Sequence, residues 1–273
     1  MQRYFVELAQ WQGESIVLGG QDAHHLQRVM RARVGEKVVC SDGAGREALT
    51  EVAAFAGENV ELRVLEWLAV DREPQVEVWI AQALPKGDKL EMVWQKCTEM
   101  GATRLIPFVS ERTVVQYDAK KEAKRAERWQ KIVKEAAEQA HRSRVPAVEL
   151  PRSWQQVLVL AGEVDAALFC YEKADTVSLK QALREARGEA QDQAQDKARG
   201  KVADPDSAVA GHGLRRVLVV VGPEGGFSEK EAAAAEAAGM RAITLGRRIL
   251  RTETAALVAL SCILYECDEL GGT

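Results

Sequence analysis

The chain has 273 residues, of which 47% are hydrophobic and 29% charged, with a net charge of −4 at neutral pH. That is enough sequence for one large or two ordinary domains with a sizeable core, and the composition excludes a disordered or fibrous class. The acidic balance argues against a general coat for nucleic acid, whose phosphates demand a positive surface.

No apolar run approaches the length of a membrane span, and the N-terminus carries no signal-peptide pattern. The cysteines at 40, 97, 170, 262 and 267 are odd in number and form no CxxC pair, so reduced thiols in a cytoplasmic protein are expected. His24 and His25 are adjacent and cannot share a helix face, and no metal site is expected.

In chain order, residues 1–70 alternate short apolar runs with turn signals. Strands are predicted over Arg3–Leu8, Ser15–Leu18, Lys37–Cys40, Arg46–Phe55 and Val60–Leu65, divided by Gly19-Gly20, Asp42-Gly43 and Gly57-Glu-Asn59. One short helix, capped by Asp22, should carry His24, His25, Leu26, Val29 and Arg31. The pattern is that of a small β-barrel of a kind that often holds nucleic acid; a barrel whose histidines merely pack fits equally. Asp71-Arg-Glu-Pro74 is the expected linker.

From residue 74 to 273 the period changes to alternating strand and helix, which predicts a mostly parallel α/β sheet. Val76–Ala83 and Arg104–Val109 are strands, and Asp88 caps a helix that stops at Gly101. Residues 119–141 form a basic helix ended by Pro146. Between Arg112 and Arg144 stand ten Lys/Arg against five Asp/Glu, either a patch for structured nucleic acid or a solvated, salt-bridged helix face. Asp165–Tyr171 is a strand and Ser178–Arg187 a helix. Residues 188–213 hold only Val202 and Val209 as strongly apolar side chains, which predicts a mobile surface insertion.

The apolar run Val217–Val221 should be a strand buried on both faces, followed by Gly222-Pro-Glu-Gly-Gly-Phe-Ser228. Ser228 and Glu231 make a capping box for the next helix, which Gly239 can end. Met240–Leu245 is a second strand, Gly246-Arg-Arg-Ile-Leu-Arg251 a second loop, and Thr252 the expected cap of a long apolar helix. A glycine loop after a buried strand belongs to a ligand site at the C-terminal edge of a sheet. Neither loop is a dinucleotide fingerprint, a P-loop, a nucleophile elbow or a zinc motif.

The pair Gly222-Pro-Glu-Gly-Gly-Phe-Ser and Leu245-Gly-Arg-Arg-Ile-Leu-Arg-Thr-Glu-Thr-Ala255 resembles the C-terminal signature of the RsmE family, SPOUT-superfamily enzymes that methylate uridine N3 in bacterial 16S ribosomal RNA. Further matches are His24-His25-Leu26 with Val29-Met30-Arg31; Lys86-Gly-Asp-Lys89; Gln95-Lys96 with Glu99-Met-Gly101; Ser110-Glu-Arg112; and Arg128-Trp129 with Glu135-Ala-Ala-Glu-Gln139 and Arg142. The resemblance implies a PUA-like N-terminal barrel, a C-terminal SPOUT domain with a trefoil knot, S-adenosylmethionine as cofactor, the small ribosomal subunit as partner, and a homodimer without membrane or metal. It places Gly222, Glu224, Gly225, Gly226, Leu245, Gly246, Ile249 and Leu250 at the cofactor, with Tyr171 and Glu172 as further candidates.

Arg248 and Arg251 are the candidates for stabilising a uracil anion or a phosphate, and Glu253 for accepting a proton, unless it merely serves its helix N-terminus or Arg251. Arg112, Gln139 and Arg142 would close the site or hold RNA phosphates, or form structural ion pairs at a dimer interface. Arg3, Arg28 and Arg31 are expected RNA contacts on the barrel. A related enzyme acting on transfer RNA or on a ribose hydroxyl, and a non-catalytic RNA binder in ribosome assembly, remain the alternatives.

Overall fold

The β-branched run at the centre of the C-terminal half becomes the middle of a parallel sheet, because such side chains pack well when both faces are covered. The computed structural model describes residues 1–69, 72–113, 119–172, 176–188 and 213–270. The expected insertion 188–213, apart from its two end residues, and Asp71 of the expected linker lie outside the described residues. The chain divides into two units. One holds Met1–Glu73 with Val133–Val145, and the other Pro74–Ile132 with Pro146–Thr273. The return of 133–145 to the first unit is invisible in the linear pattern of elements. Among the described residues no helix is long and apolar enough to cross a membrane.

The first unit is a six-stranded sheet in the order Arg3–Phe5, Lys37–Ser41, Glu47–Ala56, Asn59–Leu68, Ser15–Leu18, Trp11–Gln12. All its pairings are antiparallel except that of Arg3–Phe5 with Lys37–Ser41. Register shifts at Leu49/Thr50 and Val52/Ala54 add twist, and the sheet curls over a core that includes Tyr4, Ile16, Leu18, Leu26, Val38, Val52, Val60 and Leu62. The short helix is Gly20–His24, continued by a π-helical turn over His25–Val29. Its N-cap is Gly19. Asp22 sits inside the first turn and pairs instead with Lys134 at 2.6 Å, which corrects the expected cap.

In the second unit the strands run in the order Arg152–Ser153, Arg104–Val109, Glu77–Ala83, Arg216–Val221, Ala166–Cys170, Arg241–Thr244, Val177–Ser178, all parallel, with Ala147–Val148 also beside Arg104–Val109. Arg216–Val221 is exposed only at Arg216. The helix Lys89–Met100 stops at Gly101, whose φ of 111° a side chain would resist. It packs against the last helix, Thr252–Glu266, which buries Ala256, Ala259, Leu260 and Ile263. The basic helix is Ala119–Gln139, and it ends well before Pro146; His141 follows at a φ of 57°. The helix Trp154–Val159 was not anticipated. Its six residues are too few to show a period, although Ser153 and Gln156 form a capping box.

Candidate active site

Both glycine loops leave the C-terminal ends of parallel strands, Arg216–Val221 and Arg241–Thr244, which flank Ala166–Cys170 on its two sides, where an open parallel sheet leaves room for a ligand. After Val221 the chain turns at Gly222, where an added Cβ would lie 3.1 Å from the Phe227 ring, closer than the buried ring can readily allow. Phe227 is held in turn among Phe108, Trp154 and Phe169, which fixes the far end of the loop. Gly226 has a φ of 66°, the left-handed conformation that favours glycine.

The following helix, Glu229–Ala237, has the expected capping box. Glu231 N donates to Ser228 Oγ at 3.2 Å, and Ser228 N to Glu231 Oε2 at 2.9 Å. The box does more than cap. Ser228 Oγ donates to Glu111 Oε2 at 2.7 Å, and Glu111 N donates to Glu231 Oε1 at 2.8 Å. The Ser110–Arg112 turn is thereby fixed, and Arg112 Nη1 donates to the carbonyl of Gly225 at 2.9 Å. Arg112, expected to contact RNA, is here a brace for the first loop.

The second loop corrects another expectation. The N-cap of the last helix is Arg251, with no side-chain cap bond, and Thr252 is the first helical residue. Thr252 Oγ1 instead donates to the carbonyl of Gly222 at 2.6 Å and accepts from Gln82 Nε2 at 2.7 Å. Gln82 is fully buried on the strand Glu77–Ala83. A buried polar chain thus links the base of one loop, the end of the other and the core of the sheet, and satisfies a carbonyl that would otherwise be orphaned.

Between the loops lies a cavity of about 740 Å³, within the range usual for small-molecule sites. Its wall includes Gly222, Glu224, Gly225, Gly226, Leu245, Ile249 and Leu250, with Tyr171, Glu172, Arg112, Arg251 and Glu253. Val221 and Ile243 give it an apolar floor, and Ile249 is 86% exposed at its rim. Two expected residues are absent from the wall. Gly246, at a φ of 117°, serves the turn, and Arg248 is exposed to solvent.

Two of the expected RNA contacts are corrected as well. Arg3 is buried and ion-paired with the fully buried Glu47, and Arg142 is buried against Glu73, with Nη2 at 2.6 Å from Oε2. A guanidinium withdrawn from solvent and paired with a carboxylate is a structural group, poorly placed to meet a phosphate. Arg28 and Arg31 are exposed at the end of the π-helical turn. Gln139 closes the basic helix, exposed.

Electrostatics set the cavity's polar side. Desolvation by itself would raise the Glu224 pKa, but Lys89 Nζ at 2.9 Å and the Lys86 N–H at 3.2 Å hold the carboxyl below its ordinary value. Glu224 is therefore anchored to the 86–89 turn as a carboxylate. Glu253 is buried. Its Oε2 accepts no hydrogen bond among the described residues and lies 3.9 Å from Lys89 Nζ. Burial, with the charge of Glu172 adding to it, pushes the Cys170 thiol up to about 12, so this sulfur on the wall is no nucleophile near neutral pH. Lys89, Gln82 and Glu111 received no role from the sequence, although Lys89 and Glu111 stand inside quoted motifs. Gln82, a polar residue inside an apolar strand, was the available signal.

The chain matches the RNA methyltransferase domain family over residues 72–264 and the RNA methyltransferase PUA domain over residues 18–65. It is 40% identical over 275 residues to ribosomal RNA small subunit methyltransferase E of Bacillus subtilis, covering 100% of this chain and 99% of that protein. The chain belongs to this RNA methyltransferase family. The Synechocystis member is 33% identical over 91% of this chain and 72% of its own. A crystal structure of the Neisseria gonorrhoeae member bound to S-adenosyl methionine superposes with a TM-score of 0.78 at 28% identity, covering 97% of both chains. The family's two domains thus account for the α/β sheet and for the curled N-terminal sheet.

Proposed function

We propose that this protein transfers a methyl group from S-adenosylmethionine to N3 of a uridine in 16S ribosomal RNA of the small subunit. The observation that carries the reading is one cavity walled by both C-terminal loops in a member of a family whose Neisseria relative was crystallised with that cofactor.

The residues present suit the group. Leu245, Leu250, Val221 and Ile243 offer an apolar slot for adenine, the loop's glycines expose backbone groups to its edge, and carboxylates rather than arginines dominate the polar side where a sulfonium would stay. Bound there, the cofactor supplies an electrophilic methyl carbon. The chain's part is to hold nucleophile and donor in line, to shut out water and to manage one proton. The uracil N3–H must lose its proton at or before attack. The buried, unbonded Oε2 of Glu253 suits a proton acceptor, and Arg251, exposed on the wall, suits the developing negative charge on the uracil carbonyls. Arg248, exposed beside the cavity and not on its wall, is the second candidate for meeting the RNA.

The same reading carries the family's trefoil knot and homodimer and a cytoplasmic location. The bond from Thr252 back to the Gly222 carbonyl ties the start of the last helix to the earlier loop. The test is to incubate the protein with isotope-labelled S-adenosylmethionine and unmodified small subunits, then digest the RNA to nucleosides. Labelled 3-methyluridine is expected; a label on a ribose, on another base or only on transfer RNA refutes the assignment. Arg251→Ala should abolish transfer while the melting curve stays that of the parent.

A further inference from the structure

The first unit carries an aromatic feature that the chemistry of the cavity does not use. Trp11 and Trp67 stack with ring centroids 5.4 Å apart and planes within 19° of parallel. The Arg46 guanidinium carbon is 4.9 Å from the Trp11 centroid and 5.2 Å from that of Trp67. Being nearly equidistant, it lies alongside the pair and not beyond either end. Trp67 packs against Trp11 and still keeps 47% of its surface exposed.

Arg46 is aimed by its turn. Asp42 Oδ1 accepts from Ala44 N at 2.9 Å and from Arg46 N at 3.0 Å, while Asp42 Oδ2 stands 3.6 Å from Arg46 Nε. Half of the arginine side chain remains in solvent. An aromatic pair that served stability alone would gain by covering its ring. A half-exposed indole stacked on a second indole, with a cation at its side, is instead what an unpaired nucleobase and its phosphate recognise.

We propose that Trp67, backed by Trp11 and flanked by Arg46, is a stacking platform for one unpaired base of the RNA substrate, with Arg46 meeting an adjacent phosphate. This rests on the reading of the protein as an enzyme acting on ribosomal RNA. It adds Arg46 to the exposed Arg28 and Arg31 as a cation through which the first unit meets RNA, in place of the buried Arg3.

The experiment pairs kinetics with ultraviolet crosslinking. Trp67→Ala should raise the KM for unmodified small subunits by about 5- to 100-fold, in line with the loss of one base–aromatic stack. Trp67→Phe, which keeps a flat ring, should recover most of that loss, and Arg46→Ala should raise KM and flatten its salt dependence. Affinity for S-adenosylmethionine, measured by calorimetry, should not move in any of the three. If Trp67→Ala does not fold, Trp67→Phe and Arg46→Ala carry the kinetic arm. Irradiating the wild-type protein on small subunits should leave a nucleotide adduct on the peptide that contains Trp67. An unchanged KM in Trp67→Ala, or in Arg46→Ala where the former does not fold, overturns the platform. So does a crosslink at Trp67 to a ribosomal protein without one to RNA. If the wild type transfers no methyl group to any RNA, the enzymatic reading fails, while the crosslink still tests the platform by itself.

Discussion

Replacing Thr252 by valine keeps the shape of the side chain and deletes one oxygen. That oxygen donates to the Gly222 carbonyl at 2.6 Å and accepts from Gln82 Nε2 at 2.7 Å, and all three residues are buried. Valine therefore leaves an orphaned carbonyl and an orphaned N–H; at about 1–3 kcal/mol for each unsatisfied group, the cost is about 2–4 kcal/mol, since Gln82 retains its bond to the Ala83 carbonyl. For a domain of this size that lowers the melting temperature by about 5–15 °C. Because Gly222 begins the loop proposed to hold the cofactor, the KM for S-adenosylmethionine should rise by about fivefold or more as the loop relaxes, with a smaller change in the KM for RNA. Thr252→Ser, which restores the hydroxyl, should recover both. Thermal melts and initial rates at varied cofactor read the outcome. A Thr252→Val protein that melts and binds cofactor like the parent would show that the polar chain does not hold the loops together.

Arg112→Ala removes the bond to the Gly225 carbonyl from an exposed side chain, so stability should change by less than about 1 kcal/mol, while calorimetry finds weaker cofactor binding. Arg142→Ala leaves Glu73 half-buried and without its guanidinium, and urea unfolding should find a loss of about 3 kcal/mol, the low end for a broken buried pair. The same pair gives a pH signature. Desolvation would raise the Glu73 pKa, but Arg142 and the N–H groups of Ser143 and Arg144 hold it below its ordinary value of 4.5. Its stabilisation is therefore fully present above pH 4.5 and is lost as pH falls through the lower folded value, and Glu73→Gln should remove that part of the acid limb. Stability curves between neutral and strongly acidic pH decide it.

Much of this was legible in the chain. The strand Ser15–Leu18, the strand Arg104–Val109 and the Ser228–Glu231 capping box stand where period and local chemistry put them, because each is set by side chains within a few residues. The two loops were found for the same reason. What escaped depends on distant partners. Thr252 has the residue type of a cap, yet a carbonyl thirty residues back and an amide on a central strand claim its hydroxyl. Arg3 and Arg142 look like surface cations until Glu47 and Glu73 fold against them, and no local pattern tells a buried guanidinium from an exposed one. Arg248 and Arg251 are indistinguishable as neighbours in one loop. Only the direction of the turn puts the second on the cavity wall and leaves the first outside it. Parity of spacing likewise says nothing about a helix that divides between two units.

The most direct test of the central claim is a crystal structure of this protein grown with S-adenosylmethionine. The cofactor should lie between Gly222–Gly226 and Leu245–Leu250, its adenine against Leu245 and Leu250 and its methyl group facing the side of the cavity that holds Arg251 and Glu253. Density for the cofactor anywhere else, with the two loops collapsed on each other, would contradict the account.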